Sequence, residues 1–122
     1  MSIVATILVA FVAVEHIGFL VLEMFLWTTP FGQRSFNLTP EFAQQSAVLA
    51  MNQGLYNGFL AAGLLWTFLI GDAPWRRNVR TFFLVCVLAA GVFGGYTAKP
   101  SIYLLQALPA LLALVAVRMV KE

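Results

Sequence analysis

The chain has 122 residues, of which 61% are hydrophobic and only 10% are charged, and its mean hydropathy is +0.90. A soluble domain of this length leaves much of its surface in water and cannot bury so large a share of apolar side chains. The net charge of +2 is too small to indicate a nucleic-acid-binding protein. These figures favour a protein whose main partner is the lipid bilayer.

Four apolar segments follow one another along the chain, at residues 3–27, 47–70, 79–97 and 101–120. Each is close to the roughly 20 residues that an α-helix needs to cross about 30 Å of hydrocarbon. The first segment has no Lys or Arg before it and is too long for a cleaved signal peptide, so we expect it to be a membrane helix. The pattern predicts an all-α fold: one integral membrane domain over residues 1–122, built as a four-helix transmembrane bundle.

The positively charged residues are unevenly distributed among the connections. Arg34 and Lys99 lie in the first and third connections. The other five, in the second connection and at the C-terminus, are Arg76, Arg77, Arg80, Arg118 and Lys121. Because Lys and Arg favour the cytoplasmic side, this five-to-two division predicts a multi-pass protein of the cell inner membrane with both termini in the cytoplasm.

The first apolar segment contains the stretch AVEHIGFLVLE, which carries two carboxylates and the only histidine. Each helical residue turns by about 100°, so His16, Glu23 and Trp27 fall within about 20° of one another, and Glu15 lies about 100° to the side. Each charged group in a bilayer costs at least about 2.5–3.5 kcal/mol. We therefore expect this stripe to face a polar interior and to have a function.

Uncharged polar residues recur on two further segments at helical spacing. They are Asn52, Gln53, Tyr56 and Asn57 on the second segment, and Tyr103 and Gln106 on the fourth. Glu15 and His16 are expected near the midplane, with Glu23 about 12 Å closer to the outer face. The pattern predicts that these side chains line a polar chamber between the midplane and the outer surface.

The residue spacing does not indicate a metal site. His16 and Glu23 are separated by about 10.5 Å along a helix axis, which is too far for them to share one ion unaided. The sequence has no HExxH or HxxE motif, and Cys86 is the single cysteine. We expect no metal and no cofactor.

Two stretches, EHIGFLVLEMFLWTTPFG and NQGLYNGFLAAGLLW, resemble the signature of a domain-of-unknown-function family of small four-helix bacterial membrane proteins. The resemblance extends over nearly the whole chain. It implies a four-helix integral membrane protein and implies no activity. The positions that match the motifs are Glu15, His16, Glu23, Trp27, Asn52, Gln53, Tyr56 and Asn57.

The first functional hypothesis is a membrane enzyme that performs acid–base chemistry on a lipophilic small molecule. Glu15 and His16 would exchange protons, and Glu23 would be the partner carboxylate. The expected substrate-binding residues are Trp27, Asn52, Gln53, Tyr56, Asn57, Tyr103 and Gln106. Isomerisation, cyclisation and epoxide opening all remain open, and small membrane isomerases of the sterol-isomerase type offer an analogy of chemistry alone.

Two other functions remain open. A proton-coupled transporter or binder of a small hydrophobic or cationic molecule would use the same carboxylates, in a homo-oligomer. Small multidrug-resistance transporters have a similar length and a Glu in helix one, but the second acid, the histidine and the charge bias depart from their pattern. A structural or assembly protein would use the polar cluster as a groove that binds a partner protein.

Overall fold

Helices account for most of residues 2–120, the range that a computed structural model describes. The five α-helices are α1 (Ile3–Phe25), α2 (Pro30–Phe36), α3 (Pro40–Trp66), α4 (Ala73–Thr97) and α5 (Leu108–Met119). A 3₁₀ turn at Thr67–Leu69 follows α3, and a π-helical turn at Tyr103–Ala107 precedes α5. No strand occurs within the described range, so the predicted all-α class is confirmed there.

Two of the helices are long and apolar enough to cross a membrane. These are α1, with 23 residues, and α4, with 25 residues. The helical stretch Tyr103–Met119 is apolar but shorter, and α3 does not meet the same criterion although it is the longest helix. The four-helix transmembrane arrangement therefore stays a prediction.

Two helices begin earlier than the apolar segments alone predict, because capping residues start them in polar sequence. α3 begins seven residues before position 47, where Thr39 Oγ1 accepts a 3.1 Å hydrogen bond from the Phe42 amide. α4 begins six residues before position 79, where Asp72 Oδ2 accepts a 2.8 Å bond from the Trp75 amide. Such side-chain oxygens satisfy amides that lack an intrahelical acceptor.

The short helix α2 lies in the first connection and was not predicted. Thr29 Oγ1 accepts a 3.1 Å hydrogen bond from the Gly32 amide, and the helix ends at Asn37, whose φ of 55° is left-handed. A Cβ at Gly32 would overlap the Leu26 carbonyl oxygen, so the chain can turn this closely only at glycine. The sequence did contain a signal for this helix start, the Thr-Pro pair at 29–30. The same pair of residues begins α3 at 39–40.

The last predicted helix, 101–120, is interrupted near its start. Pro109 has no amide hydrogen and cannot donate to the carbonyl four residues earlier. Ahead of it the backbone widens, and the Leu108 amide donates to the Tyr103 carbonyl, five residues back. The π-helical turn thus accommodates a helix start that contains proline.

The chain forms two compact units, one of residues 15–59 and one of the residues on either side. The second unit has a hydrophobic core that includes Val9, Leu64, Leu84, Val87 and Ala113, each fully buried. Within it, α4 lies so close to the π-helical turn that a Cβ at Gly91 would be 2.6 Å from the Ala107 nitrogen. The unit of residues 15–59 contains most of the candidate site.

Candidate functional site

The stripe predicted on α1 lies on its buried face. His16 is fully buried, Glu23 is 3% exposed, and Trp27 is half-buried. The His16 ring meets the Phe19 ring edge-on, with 5.2 Å between their centroids and 72° between their planes. The 3.6-residue periodicity of the helix therefore places His16 and Glu23 on a face that is withdrawn from solvent. The prediction was wrong for Trp27, because α1 ends at Phe25 and Trp27 lies in the turn before α2.

Glu23 is joined to α3 by a hydrogen bond. The Asn57 side-chain amide Nδ2 donates to Glu23 Oε1 over 2.5 Å, across 34 residues of sequence. A buried carboxylate is costly unless donors satisfy its oxygens. The bond therefore explains how Glu23 is tolerated on this face, and it brings two of the predicted site residues together.

Two glycines allow α1 and α3 to come this close. A Cβ at Gly54 would lie 2.6 Å from Met24 Cγ and 3.1 Å from Glu23 Cβ. A Cβ at Gly58 would lie 2.6 Å from Leu20 Cδ1. Glycine at both positions leaves room for these side chains. A Cβ at Gly54 would also lie 3.2 Å from the Leu20 carbonyl oxygen, so a larger residue there would push the helices apart.

Glu15 lies on the flank of the stripe and is half-buried. Its Oε1 is buried and has no hydrogen-bond partner among the described residues. Burying an unsatisfied acceptor costs about 1–3 kcal/mol, more when the group is charged. Glu15 therefore offers an acceptor that a proton, or a donor on a bound molecule, would satisfy.

Trp27 is held by contacts with the two elements that follow it. Its indole Nε1 donates a 2.9 Å hydrogen bond to Ser46 Oγ, which donates over 2.6 Å to the Phe42 carbonyl. The indole also lies 4.8 Å from the Phe36 ring, centroid to centroid. Ser46 was missed in the sequence, although it falls three residues from the buried Ala43 and four from the buried Ala50 on α3.

Three of the predicted binding residues on α3 are exposed in the single chain: Asn52, Gln53 and Tyr56. Gly54 marks the face of α3 that packs against α1. Measured around the helix axis from Gly54, Asn57 lies about 60° away and Gln53 about 100° away. Asn52 and Tyr56 lie about 160° away, on the opposite side. One copy of the chain therefore does not bring these three side chains to Glu23, and their role in binding stays a prediction.

Tyr103 and Gln106 belong to the other compact unit. The Tyr103 ring packs directly against the backbone of Gly95, and 41% of its surface is exposed. Gln106 is half-buried on the same π-helical turn. Their expected part in the candidate site also stays a prediction.

Within residues 2–120, no group of three or more His, Cys, Asp or Glu side chains is placed to hold a metal ion. The side chains that the structure offers for chemistry on α1 are two carboxylates and one imidazole. Such groups accept and donate protons.

Comparison with known proteins gives a family and a relative. The model of a family described as "Protein of unknown function (DUF1304)" matches residues 10–118, a range that contains every candidate site residue. An uncharacterised protein of Lactococcus lactis subsp. lactis (strain IL1403), YpaA, is 30% identical over 118 residues. The alignment covers 95% of this chain and 98% of that protein. No solved structure matches.

Proposed function

The chain belongs to the DUF1304 family of proteins of unknown function, and we propose that it is an integral membrane enzyme that moves protons on a lipophilic substrate. The observation that carries this proposal is the buried, unpartnered Oε1 of Glu15 beside the fully buried His16. An acceptor of this kind on an apolar helix is costly to the fold. A function that needs it explains why it is present.

The apolar helices support the membrane part of the proposal. Only 28% of the apolar stretch of α1 is buried, and only 33% of that of α4. The core helix of a soluble protein would bury most of such a stretch. The large apolar side chains that α1 exposes are Ile3, Val4, Ile7, Phe11, Val14, Ile17, Val21 and Phe25. A bilayer would cover this surface.

We further propose four membrane-spanning segments, drawn from α1, α3, α4 and the stretch that ends in α5. Both termini would face the cytoplasm of a bacterial inner membrane, because the N-terminal end of α4 and the C-terminal residues hold five of the seven positive charges. α3 is long enough but too polar to meet the criterion that α1 and α4 meet, since it carries polar residues of the candidate site. Its exposed Asn52, Gln53 and Tyr56 would then meet a substrate or a second copy of the chain.

Neighbouring acid and base groups suit reactions that shift a proton from one atom of a substrate to another. Glu15 would take or give a proton at the substrate, and His16 would carry the second proton transfer. Glu23, fixed by Asn57, would supply the partner carboxylate. Isomerisation, ring closure and epoxide opening all need this pairing, and a neutral lipophilic substrate would reach the site from the bilayer.

A second candidate function is purely structural, and the Glu23–Asn57 bond favours it. That bond lies near Gly54, where a Cβ would be 3.1 Å from Glu23 Cβ, and an interhelical hydrogen bond in such a close contact fixes helix register. The structural role would account for Glu23 and Asn57. It gives no reason for the unsatisfied oxygen of Glu15, so we rank it second.

The proposal is tested by identifying what the purified protein binds. The wild type and Glu15→Gln are extracted in mild detergent, and co-purified small molecules are compared by mass spectrometry. Glu41→Gln is the matched control, because Glu41 is an exposed carboxylate in the first turn of α3. We expect a lipophilic molecule that is retained by the wild type and the control and lost from Glu15→Gln.

Turnover of the identified molecule, or of its close analogues, is then measured with the same three proteins. The enzyme proposal expects Glu15→Gln to lose about 10²–10⁴-fold in rate, the usual contribution of a general acid or base. Unchanged binding and turnover in Glu15→Gln would overturn it. If Glu15→Gln only raises the unfolding temperature and no molecule is retained by any variant, the structural role is favoured instead.

A further inference from the structure

One face of α3 is exposed from residue 45 to residue 59. The residues on it recur at intervals of four and three, the spacing at which two helices pack as a coiled coil. The face lies on the opposite side of α3 from Gly54, the position that packs against α1. We refer to this row as the α3 seam; its members, all exposed, are Gln45, Leu49, Asn52, Tyr56 and Phe59.

The depth of Asn52 makes its exposure costly in a bilayer. The residue lies near the middle of α3, about 18 Å from Pro40 and about 21 Å from Trp66 along the helix axis. The inference rests on the four spans proposed above; with α3 across about 30 Å of hydrocarbon, the Asn52 amide lies inside that layer. Hydrocarbon offers no hydrogen bond, so the amide needs a polar partner at the same depth.

A second copy of the chain supplies such a partner. An asparagine amide carries both donors and an acceptor, so two Asn52 side chains can bond to each other across a two-fold axis. The five-to-two division of the positive charges would insert every copy in the same orientation, so the two α3 helices would run parallel. We propose that the α3 seam is the interface of a parallel homodimer, in which the two Asn52 side chains are hydrogen-bonded to each other.

The other members of the seam fit this interface. A single asparagine within an otherwise apolar layer pattern fixes the register and the two-stranded state of paired helices. Leu49, Tyr56 and Phe59 flank Asn52, and the rings of Tyr56 and Phe59 lie 5.9 Å apart, centroid to centroid. Because the seam is opposite Gly54, dimerisation would leave the hydrogen bond between Asn57 and Glu23 in place.

The length of the seam favours a helix over a small molecule as its partner. Its hydrogen-bonding side chains, from Gln45 to Tyr56, extend over about 16 Å of the helix axis. A parallel α3 of a second copy presents the same groups at the same depths. A small substrate would reach one part of this row and leave the rest in hydrocarbon.

The first test is disulfide cross-linking in cell membranes. Leu49→Cys and Met51→Cys are each made in a Cys86→Ala background and oxidised. Met51 is the matched control, because it is also exposed and lies at nearly the same depth, but it points about 160° away from Leu49. We expect a disulfide-linked dimer from Leu49→Cys and little or none from Met51→Cys.

The second test measures association by sedimentation equilibrium in a mild detergent. Asn52→Leu removes the proposed hydrogen bond, and Gln53→Leu is the control, since Gln53 is also an exposed amide but points about 100° away. We expect Asn52→Leu to dimerise about 3- to 30-fold more weakly than the wild type, the effect of losing one interhelical hydrogen bond. Gln53→Leu should dimerise as the wild type does. Diluted until monomeric, Asn52→Leu should unfold at the wild-type temperature.

The dimer proposal is overturned if Met51→Cys cross-links as efficiently as Leu49→Cys, or if Asn52→Leu associates as tightly as the wild type. It is also overturned if the wild type is monomeric and Asn52→Leu loses a co-purified lipophilic molecule, since the seam then binds a substrate. Glu15→Gln should dimerise normally, so failure of the enzyme proposal is distinguishable from failure of the dimer. Absence of the protein from carbonate-washed membranes would overturn the membrane embedding and the dimer together.

Discussion

Asn57 Nδ2 donates a 2.5 Å hydrogen bond to Oε1 of Glu23, which is 97% buried, and so links α3 to α1 within one compact unit. Both residues belong to the eight positions that match the motifs of the family signature. Because the bond lies near Gly54, where a Cβ would be 3.1 Å from Glu23 Cβ, changing either residue affects both the packing and the polar environment of the stripe.

Replacing Asn57 with Leu should destabilise the protein, because it removes the amide that satisfies the buried Glu23 oxygen. A buried acceptor left without its donor costs about 1–3 kcal/mol. We expect Asn57→Leu to lower the free energy of unfolding in detergent by that amount. Asn52→Leu is the matched control, and since Asn52 is exposed its effect should stay within about 0.5 kcal/mol.

Glu23→Gln provides the complementary test. The Gln carbonyl oxygen still accepts from Asn57, and no charge is buried, so stability should be kept or raised. If Glu23→Gln instead destabilises the protein as much as Asn57→Leu, the negative charge itself contributes to the contact and the hydrogen bond is not its main component.

Gly54→Val should separate the two helices. Its Cβ alone would lie 2.6 Å from Met24 Cγ and 3.2 Å from the Leu20 carbonyl oxygen, and overpacking of this kind costs about 1–3 kcal/mol. The measurement is the thermal unfolding midpoint in the same detergent. Gly18→Ala is the control, since no atom lies within 4 Å of a Cβ there; it should be neutral or stabilising. Equal loss in both variants would contradict the packing described here.

The Trp27–Ser46 hydrogen bond should be detectable as a coupling energy. Trp27→Phe removes the indole donor and Ser46→Ala removes the acceptor, and each should cost about 1 kcal/mol. The double variant should cost less than the sum, by about 0.5–1 kcal/mol, because the same bond is lost in both. The readout is unfolding of the four proteins of the cycle. Strict additivity would show that the bond contributes nothing to stability.

The proposed topology predicts which connections are reached by a membrane-impermeant thiol reagent. In a Cys86→Ala background, Arg34→Cys and Lys99→Cys should be labelled from the outer face of spheroplasts, since both lie in connections proposed to be outside. A cysteine replacing Asp72 should be labelled only after the cells are opened. Labelling of Asp72→Cys in intact spheroplasts would reverse the proposed orientation.

The buried stripe on α1 could be predicted because helical periodicity alone fixes which side chains share a face. His16 and Glu23 are seven residues apart on α1, and the structure withdraws both from solvent. The same reasoning was wrong for Trp27, because α1 ends at Phe25, two residues before it. The helix starts at Pro40 and Ala73 were also present in the sequence, as a threonine and an aspartate just before them. These are local signals, and they need no knowledge of the partner helix.

The polar residues of α3 were harder to assign, because the face of a helix that turns inward is set by what it packs against. Asn52 and Tyr56 also carry hydrogen-bonding groups, yet only Asn57 lies close to the direction of Gly54. The glycines at 54 and 58 could have selected among them, had they been used as the reference for that face. The burial of Arg76 and Arg80 could not have been predicted, since their sequence position suits an exposed connection equally well.

The corner between α1 and α2 has a practical consequence for measuring whether the chain folds in cells. Because a methyl group at Gly32 would collide with a carbonyl oxygen, a library with every codon at that position should yield correctly folded clones only with glycine. The same library at Gly71, where a Cβ meets open space, should yield nearly all amino acids. Comparing the two libraries would report on native folding in cells before any substrate is known.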